Sequence, residues 1–184
     1  PSHSLLSIAM NSLGDATVAG LRSGRFAEVW RAALRLPSGE IPSYTAGEIA
    51  RGIARIATEG RAAGYAMVAP FVETLAAPEV AGGTGPDPVA LLKAVLGRLI
   101  PYLTDPGLLR DIADLLAART PEATATEQAL LRAAALRRER PDDPAALQRV
   151  DPDIATAVDR MLGVRFTPAK PPRRRSPRGT ARKK

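Results

Sequence analysis

The sequence contains no cysteine, a single histidine and only 4% aromatic residues, and each shortage removes a class of site. Without cysteine the chain forms no disulfide, no thiolate nucleophile and no Cys-ligated metal centre. The only imidazole is that of His3, so one chain cannot assemble a His-based catalytic triad or a zinc cage. The sequence therefore predicts a protein that is not an enzyme and that uses no metal or other cofactor.

Long uninterrupted apolar runs are also missing. The most apolar stretch, residues 1–21, has no basic segment at its start and includes Asn11 and Asp15. A membrane-spanning helix needs about 18 or more consecutive apolar residues, and a secretory signal begins with a basic region. We therefore expect residues 1–21 to form a soluble helix in a cytoplasmic protein that does not enter the membrane.

The composition that remains is typical of a globular protein. The chain has 184 residues, of which 45% are hydrophobic and 24% charged, which is enough for one domain with a real core. Turn-forming and charged stretches divide it into an N-terminal helical half (1–80), a Gly/Pro loop (81–88), a C-terminal helical half of the same domain (89–167) and a tail (168–184).

Positive charge is concentrated at the C-terminus. The whole chain has 26 Lys and Arg against 19 Asp and Glu, a net of +7. The tail has no acidic residue and eight cations: Lys170, Arg173, Arg174, Arg175, Arg178, Arg182, Lys183 and Lys184. Residues 1–167 then hold 18 basic and 19 acidic residues, a net of −1. The high isoelectric point of the protein is therefore a property of the tail.

Four prolines interrupt the tail, so it cannot fold alone and should be disordered when free or ordered by a partner. A GC-rich genome enriches arginine without functional cause, but three of the four lysines in the chain also lie here. Positive charge itself is thus what the segment requires. Such a segment binds phosphate backbones through counterion release, with little sequence preference. It lacks aromatic residues on which single-stranded bases could stack.

Five dipeptides in the chain place a good N-cap residue directly before proline. The cap side chain accepts a hydrogen bond from a free N–H group, and proline at the first helical position already has a helical φ. Each dipeptide therefore predicts a helix start: Asp87-Pro88, Asp105-Pro106, Thr120-Pro121, Asp143-Pro144 and Asp151-Pro152.

Leucine-rich stripes at i, i+3, i+4 and i+7 follow Asp87 and Asp105. We expect these two helices to face each other as an αα-hairpin across Tyr102-Leu103-Thr104. Since no stretch alternates in the manner of a strand, the fold class is all-α, a compact bundle of about seven to nine helices with αα-hairpins. The scarce aromatics should be mostly buried: Phe26, Trp30, Phe71, Tyr102 and Phe166.

Residues 45–64 permit two interpretations. Thr45 and Glu48 have the spacing of a capping box, and an isoleucine stripe follows them in a helix that could continue to Leu75, kinked or divided at Pro70. The same stretch resembles the start of a DNA-reading helix-turn-helix, with Arg51, Arg55 and Arg61 against phosphates. The expected tight turn is missing from the sequence, which favours an ordinary core helix.

Four other features favour structural roles. The glycine-rich loop 82–86 lacks the Lys-Ser/Thr ending of a phosphate-binding loop and is interpreted as a linker. Arg137, Arg138 and Arg140 complement the dipole at a helix end, or else form a partner site.

Small residues recur every four positions from Ser12 to Gly24, which favours close packing inside the chain over an oligomer contact. Acidic pairs such as Asp111/Asp114 and Asp142/Asp143 are interpreted as helix-face or cap residues rather than as catalytic acids.

Two functions fit these observations. The first is a non-catalytic helical subunit of a larger assembly, with other protein subunits, anchored to the DNA or RNA backbone by the eight tail cations. The alternative is a purely structural assembly component, as in a virion, secretion machine or granule, whose tail docks on an acidic protein. The sequence alone leaves both open.

Overall fold

The computed structural model describes residues 14–28, 43–77, 87–149 and 151–163. These residues form helices and contain no strand, which confirms the all-α prediction. Residues 26–28 are helical, and a 3₁₀ turn covers Ile100–Tyr102. The other elements are α1 (residues 14–23), α2 (Ser43–Ala57), α3 (Arg61–Leu75), α4 (Pro88–Leu99), α5 (Pro106–Arg119), α6 (Ala125–Glu139), α7 (Pro144–Gln148) and α8 (Pro152–Met161).

Four of the five predicted cap-proline starts open helices as expected. Asp87, Asp105, Asp143 and Asp151 are the N-caps of α4, α5, α7 and α8. In each case the carboxylate accepts at least one hydrogen bond from a backbone N–H two or three residues later. Asp105 Oδ1, for example, accepts from the N–H of Gly107 at 2.7 Å and of Leu108 at 3.2 Å.

The prediction at Thr120-Pro121 is wrong, because α6 begins four residues later at Ala125. Thr120 is instead the C-cap of α5, and its N–H donates to the Leu116 carbonyl. Its buried hydroxyl lies 3.1 Å from the Thr124 hydroxyl, which donates to the Thr120 carbonyl. The threonine therefore closes the turn between two helices, where its hydroxyl does not face the free N–H groups of α6.

The N-terminal boundary of α2 also differs from the prediction. Thr45 lies inside α2 and is fully buried, so Thr45 and Glu48 do not form a capping box at the helix start. The isoleucine stripe is confirmed, since Ile49, Ile53 and Ile56 are all buried. The chain does not continue as one helix. It breaks at Gly60, whose φ of +135° is unfavourable for other residues, and Pro70 lies within α3.

Both leucine stripes are buried, but they do not face each other as a hairpin. Instead α4 packs against α2, whereas α5 packs against α3 and α6. Instead α5 forms an αα-hairpin with α6, and the turn at residues 121–124 joins them. The ion pairs Arg110–Glu139 and Arg132–Asp114 span this hairpin and show that the two helices are antiparallel. Local spacing identified the apolar faces but not which faces meet.

The buried apolar side chains form a core to which both halves of the chain contribute. The rings of Phe26 and Phe71 are buried with centroids 5.3 Å apart, as predicted for these aromatics. The prediction for Tyr102 is wrong, since 55% of this residue is exposed at the end of the 3₁₀ turn. Trp30 and Phe166 lie outside the described residues.

Within the described ranges, no helix combines the length and the apolar character needed to cross a bilayer.

Candidate nucleic-acid interface

The eight predicted contact residues of the tail lie outside the described part of the chain, as does the glycine-rich loop 82–86. The structure does describe the arrangement of charges on most of the body, residues 1–167. It also gives the position of every basic residue in α2 to α8 that could compete with the tail for an anionic partner.

Most arginines of the body are neutralised by carboxylates. The described residues include 15 Lys and Arg against 17 Asp and Glu, a net of −2. At least nine of their arginines form ion pairs: Arg22–Glu59, Arg25–Glu28, Arg51–Glu48, Arg61–Asp111, Arg110–Glu139, Arg119–Glu73, Arg132–Asp114, Arg137–Asp159 and Arg149–Asp143. The described part of the body therefore offers less unopposed positive charge than the tail does.

Helix α3 is poorly suited to reading DNA. A turn does separate α2 from α3, unlike the prediction of one continuous helix. However, α3 has Arg61 as its only basic residue, and the residues along most of its length are packed in the core. The side chains of Met67, Val68, Phe71 and Val72 are at most 4% exposed. The interpretation of this segment as an ordinary core helix is therefore the one that the structure supports.

Arg61 is held by α5 in a bidentate ion pair. Its Nε and Nη2 atoms donate to the two carboxylate oxygens of Asp111, each at 2.7 Å. This contact raises the pKa of the Arg61 guanidinium and lowers the pKa of the Asp111 carboxyl, in both cases chiefly through the hydrogen bond and with support from the opposite charge. Arg61 consequently connects α3 to α5 and does not lie with Arg51 and Arg55.

Arg51 and Arg55 instead line a groove between α1 and α2, together with Arg22 from α1. The groove has a volume of about 520 Å³, and it is also lined by Asp15 and Glu48. The spacing of Arg51 and Arg55 places them on one helix face, which the sequence showed. Arg22 was missed, because only the packing of α1 on α2 brings it to the same groove.

The arginines at the end of α6 have separate structural roles. Arg137 is only 7% exposed and is paired with Asp159 of α8. Arg138 Nη2 donates to the carbonyl oxygen of Pro101 at 3.0 Å, which joins α6 to the 3₁₀ turn. Arg140, just beyond the helix, is exposed. The three residues are close together in the sequence, but in the structure Arg137 and Arg138 contact different elements, α8 and the 3₁₀ turn.

Three of the four acids in these pairs, Asp111, Asp114 and Asp143, accept hydrogen bonds from arginines or from backbone N–H groups. Asp111 and Asp114 line a second groove of about 490 Å³ with Tyr65, but Asp111 accepts from Arg61 and Asp114 from Arg132. Asp143 caps α7 and accepts from Arg149. Over the described ranges, no three His, Asp or Glu side chains converge as a metal site would require.

No family model matches the chain, and no curated protein or solved structure is significantly similar to it.

Proposed function

We propose that this protein is a non-catalytic helical subunit of a larger assembly and that its basic tail, residues 168–184, anchors it to the phosphate backbone of DNA or RNA. One observation carries the proposal, namely the segregation of charge along the chain. The tail has eight cations and no acid, whereas the described body has a net charge of −2 and pairs at least nine of its arginines internally.

The physical basis is the release of counterions from the nucleic acid. Each phosphate that a cation neutralises contributes about −0.9 to the slope of log affinity against log salt concentration. Six to eight contacts from the tail therefore give a slope of roughly −5 to −7. Sequence preference should be weak, because a tail interrupted by prolines presents no rigid helix to the major groove.

The experiment compares two full-length variants that lose the same number of charges. In the first, Arg173, Arg174 and Arg175 are replaced by alanine. In the control, three exposed body cations, Lys93, Arg140 and Arg160, are replaced by glutamine. Binding to a fluorescent duplex and to an RNA hairpin is measured by anisotropy over a range of potassium chloride concentrations.

The tail variant should flatten the salt slope by about 2 to 3 units, and the body control should change it much less. Equal slopes for the two variants would contradict tail anchoring. Loss of binding to polyglutamate in the tail variant, with no measurable binding of the intact protein to nucleic acid, would support the alternative in which the tail docks on an acidic protein.

A further inference from the structure

Helices α1 and α2 lie side by side at a very short distance. A Cβ atom added to Gly52 would lie 2.3 Å from Val18 Cγ2, and one added to Gly14 would lie 2.9 Å from Glu48 Cβ. Both contacts join residues that are 34 positions apart in the sequence, so the two helices run in parallel. Residues seven positions further along one helix therefore lie beside residues seven positions further along the other.

This register separates charges along the groove that α1 and α2 form. Asp15 and Glu48 lie at one end of the groove, and Arg22 and Arg55 lie at the other end. Seven residues of α-helix span about 10 Å, which is the approximate distance between the two ends. Arg51 lies between them and is paired with Glu48. We call the Arg22 and Arg55 end the basic end of the groove.

Neither arginine at the basic end has a described carboxylate within hydrogen-bond distance. Arg55 is exposed, and it has no carboxylate partner among the described residues. The Arg22 side chain is 53% exposed, and its contact with Glu59 is 3.9 Å long, well beyond a hydrogen bond. A long ion pair between exposed side chains contributes little to stability, so a phosphate can replace Glu59 at low cost.

We propose that the basic end of the groove is a second contact for the nucleic acid, with Arg22 and Arg55 bound to a backbone phosphate. This inference rests on the proposed function, because two exposed arginines alone bind a phosphate weakly. Once the tail holds a nucleic acid, the second contact becomes intramolecular, and its effective concentration rises greatly. Arginine suits this role because its planar guanidinium can donate two parallel hydrogen bonds to one phosphate.

The second contact would give the complex a defined orientation. A flexible tail alone attaches the body to the nucleic acid at no fixed angle, whereas a contact in α1 and α2 fixes one face of the body against the backbone. Contacts to phosphates position a protein without specifying bases. The second contact therefore adds orientation to the tail anchoring and leaves sequence preference weak.

The test uses full-length protein and two variants with equal loss of charge. Arg22→Gln/Arg55→Gln removes the basic end, and Lys93→Gln/Arg140→Gln is the matched control with exposed cations elsewhere on the body. Binding to the same duplex is measured over a range of salt concentrations. The groove variant should flatten the salt slope by about 1 to 2 units more than the control does. Thermal unfolding of both variants verifies that they are folded.

Glu59→Gln provides a test in the opposite direction. Because Glu59 competes with phosphate for Arg22, this substitution should increase affinity for the duplex by several-fold at low salt and should have no such effect in the Arg22→Gln/Arg55→Gln background. Equal slopes for the groove and control variants, with no gain from Glu59→Gln, would overturn the second contact.

The tail and groove variants together distinguish the absence of the second contact from the absence of tail anchoring. If the alanine substitutions at Arg173, Arg174 and Arg175 flatten the slope while the groove variant behaves as its control, the tail anchors the protein and the groove inference is wrong. If those tail substitutions have no effect, tail anchoring itself is wrong. An equal loss of affinity for polyglutamate and for the duplex in the groove variant would overturn the assignment of the ligand as nucleic acid.

Discussion

Arg137 of α6 and Asp159 of α8 form an ion pair inside the protein, with 2.9 Å between Nη2 and Oδ1. Their side chains are 7% and 9% exposed. This contact is an ion pair without the geometry of a hydrogen bond, because Asp159 Oδ1 has no hydrogen-bond partner among the described residues. Arg137 Nη1 has none either. Since α8 packs against α6 and α7, this pair adds a polar contact to the packing of the helix that precedes the tail.

Arg137→Met should destabilise the protein strongly. The substitution leaves the Asp159 carboxylate buried without its opposite charge, which lowers the free energy of unfolding by about 3–5 kcal/mol. Urea unfolding followed by circular dichroism measures the change. The double variant Arg137→Met/Asp159→Leu should recover most of the loss, because no charge then remains buried. Arg140→Met, at an exposed neighbouring position, should change stability by less than about 0.5 kcal/mol.

Gly64→Ala should destabilise the contact between α3 and α5. An added Cβ would lie 2.6 Å from Leu108 Cδ2 and 3.0 Å from Ala57 Cβ, so the helices must separate or a side chain must move. We expect a loss of about 1–3 kcal/mol in thermal or urea unfolding. Gly97→Ala in α4 is the matched control, since nothing lies within 4 Å of its added Cβ. That variant should be stabilised by about 0.4–1 kcal/mol, and destabilisation of both variants would contradict the packing described.

Asp105→Ala should weaken the start of α5. The Asp105 carboxylate accepts hydrogen bonds from two backbone N–H groups, and loss of such a cap costs about 0.5–2 kcal/mol. Asp142→Ala is a suitable comparison, because Asp142 is exposed and is not the N-cap of a described helix. Chemical unfolding of both variants should show a clear loss only for Asp105→Ala.

Because of the Arg61–Asp111 ion pair, the free energy of unfolding should vary with pH in the acid range. Arg61 holds the pKa of Asp111 below its usual value, so the folded state favours the ionised carboxylate. The contribution is therefore complete above the pKa of the unfolded Asp, about 3.9, and is lost as pH falls through the lower pKa of the folded state. The difference in unfolding free energy between the wild type and Asp111→Asn should be constant from about pH 5 to 8 and should shrink below about pH 4. A difference in unfolding free energy that grows as the pH falls would contradict the lowered pKa of Asp111 in the folded state.

Much of the fold follows from features that act within one or two helical turns. An aspartate directly before proline caps its own helix, because its carboxylate reaches N–H groups only two or three residues away. The burial of Leu92 and Leu109 likewise follows from helical spacing, since one face of each helix is apolar. The same local rule failed at Thr120. Its hydroxyl contacts the Leu116 carbonyl of the preceding helix and the Thr124 hydroxyl instead of capping α6.

The sequence by itself determined the helical class, four of the helix starts, the apolar faces and the concentration of positive charge in residues 168–184. Only the tertiary structure decided that α5 pairs with α6 rather than with α4, that Arg137 meets Asp159 and that Arg22 lies beside Arg55. The physical reason is the range of the forces that select each feature. Caps and helical periodicity depend on neighbours in the chain, whereas helix pairing depends on close packing between surfaces far apart in sequence, such as Gly64 against Leu108.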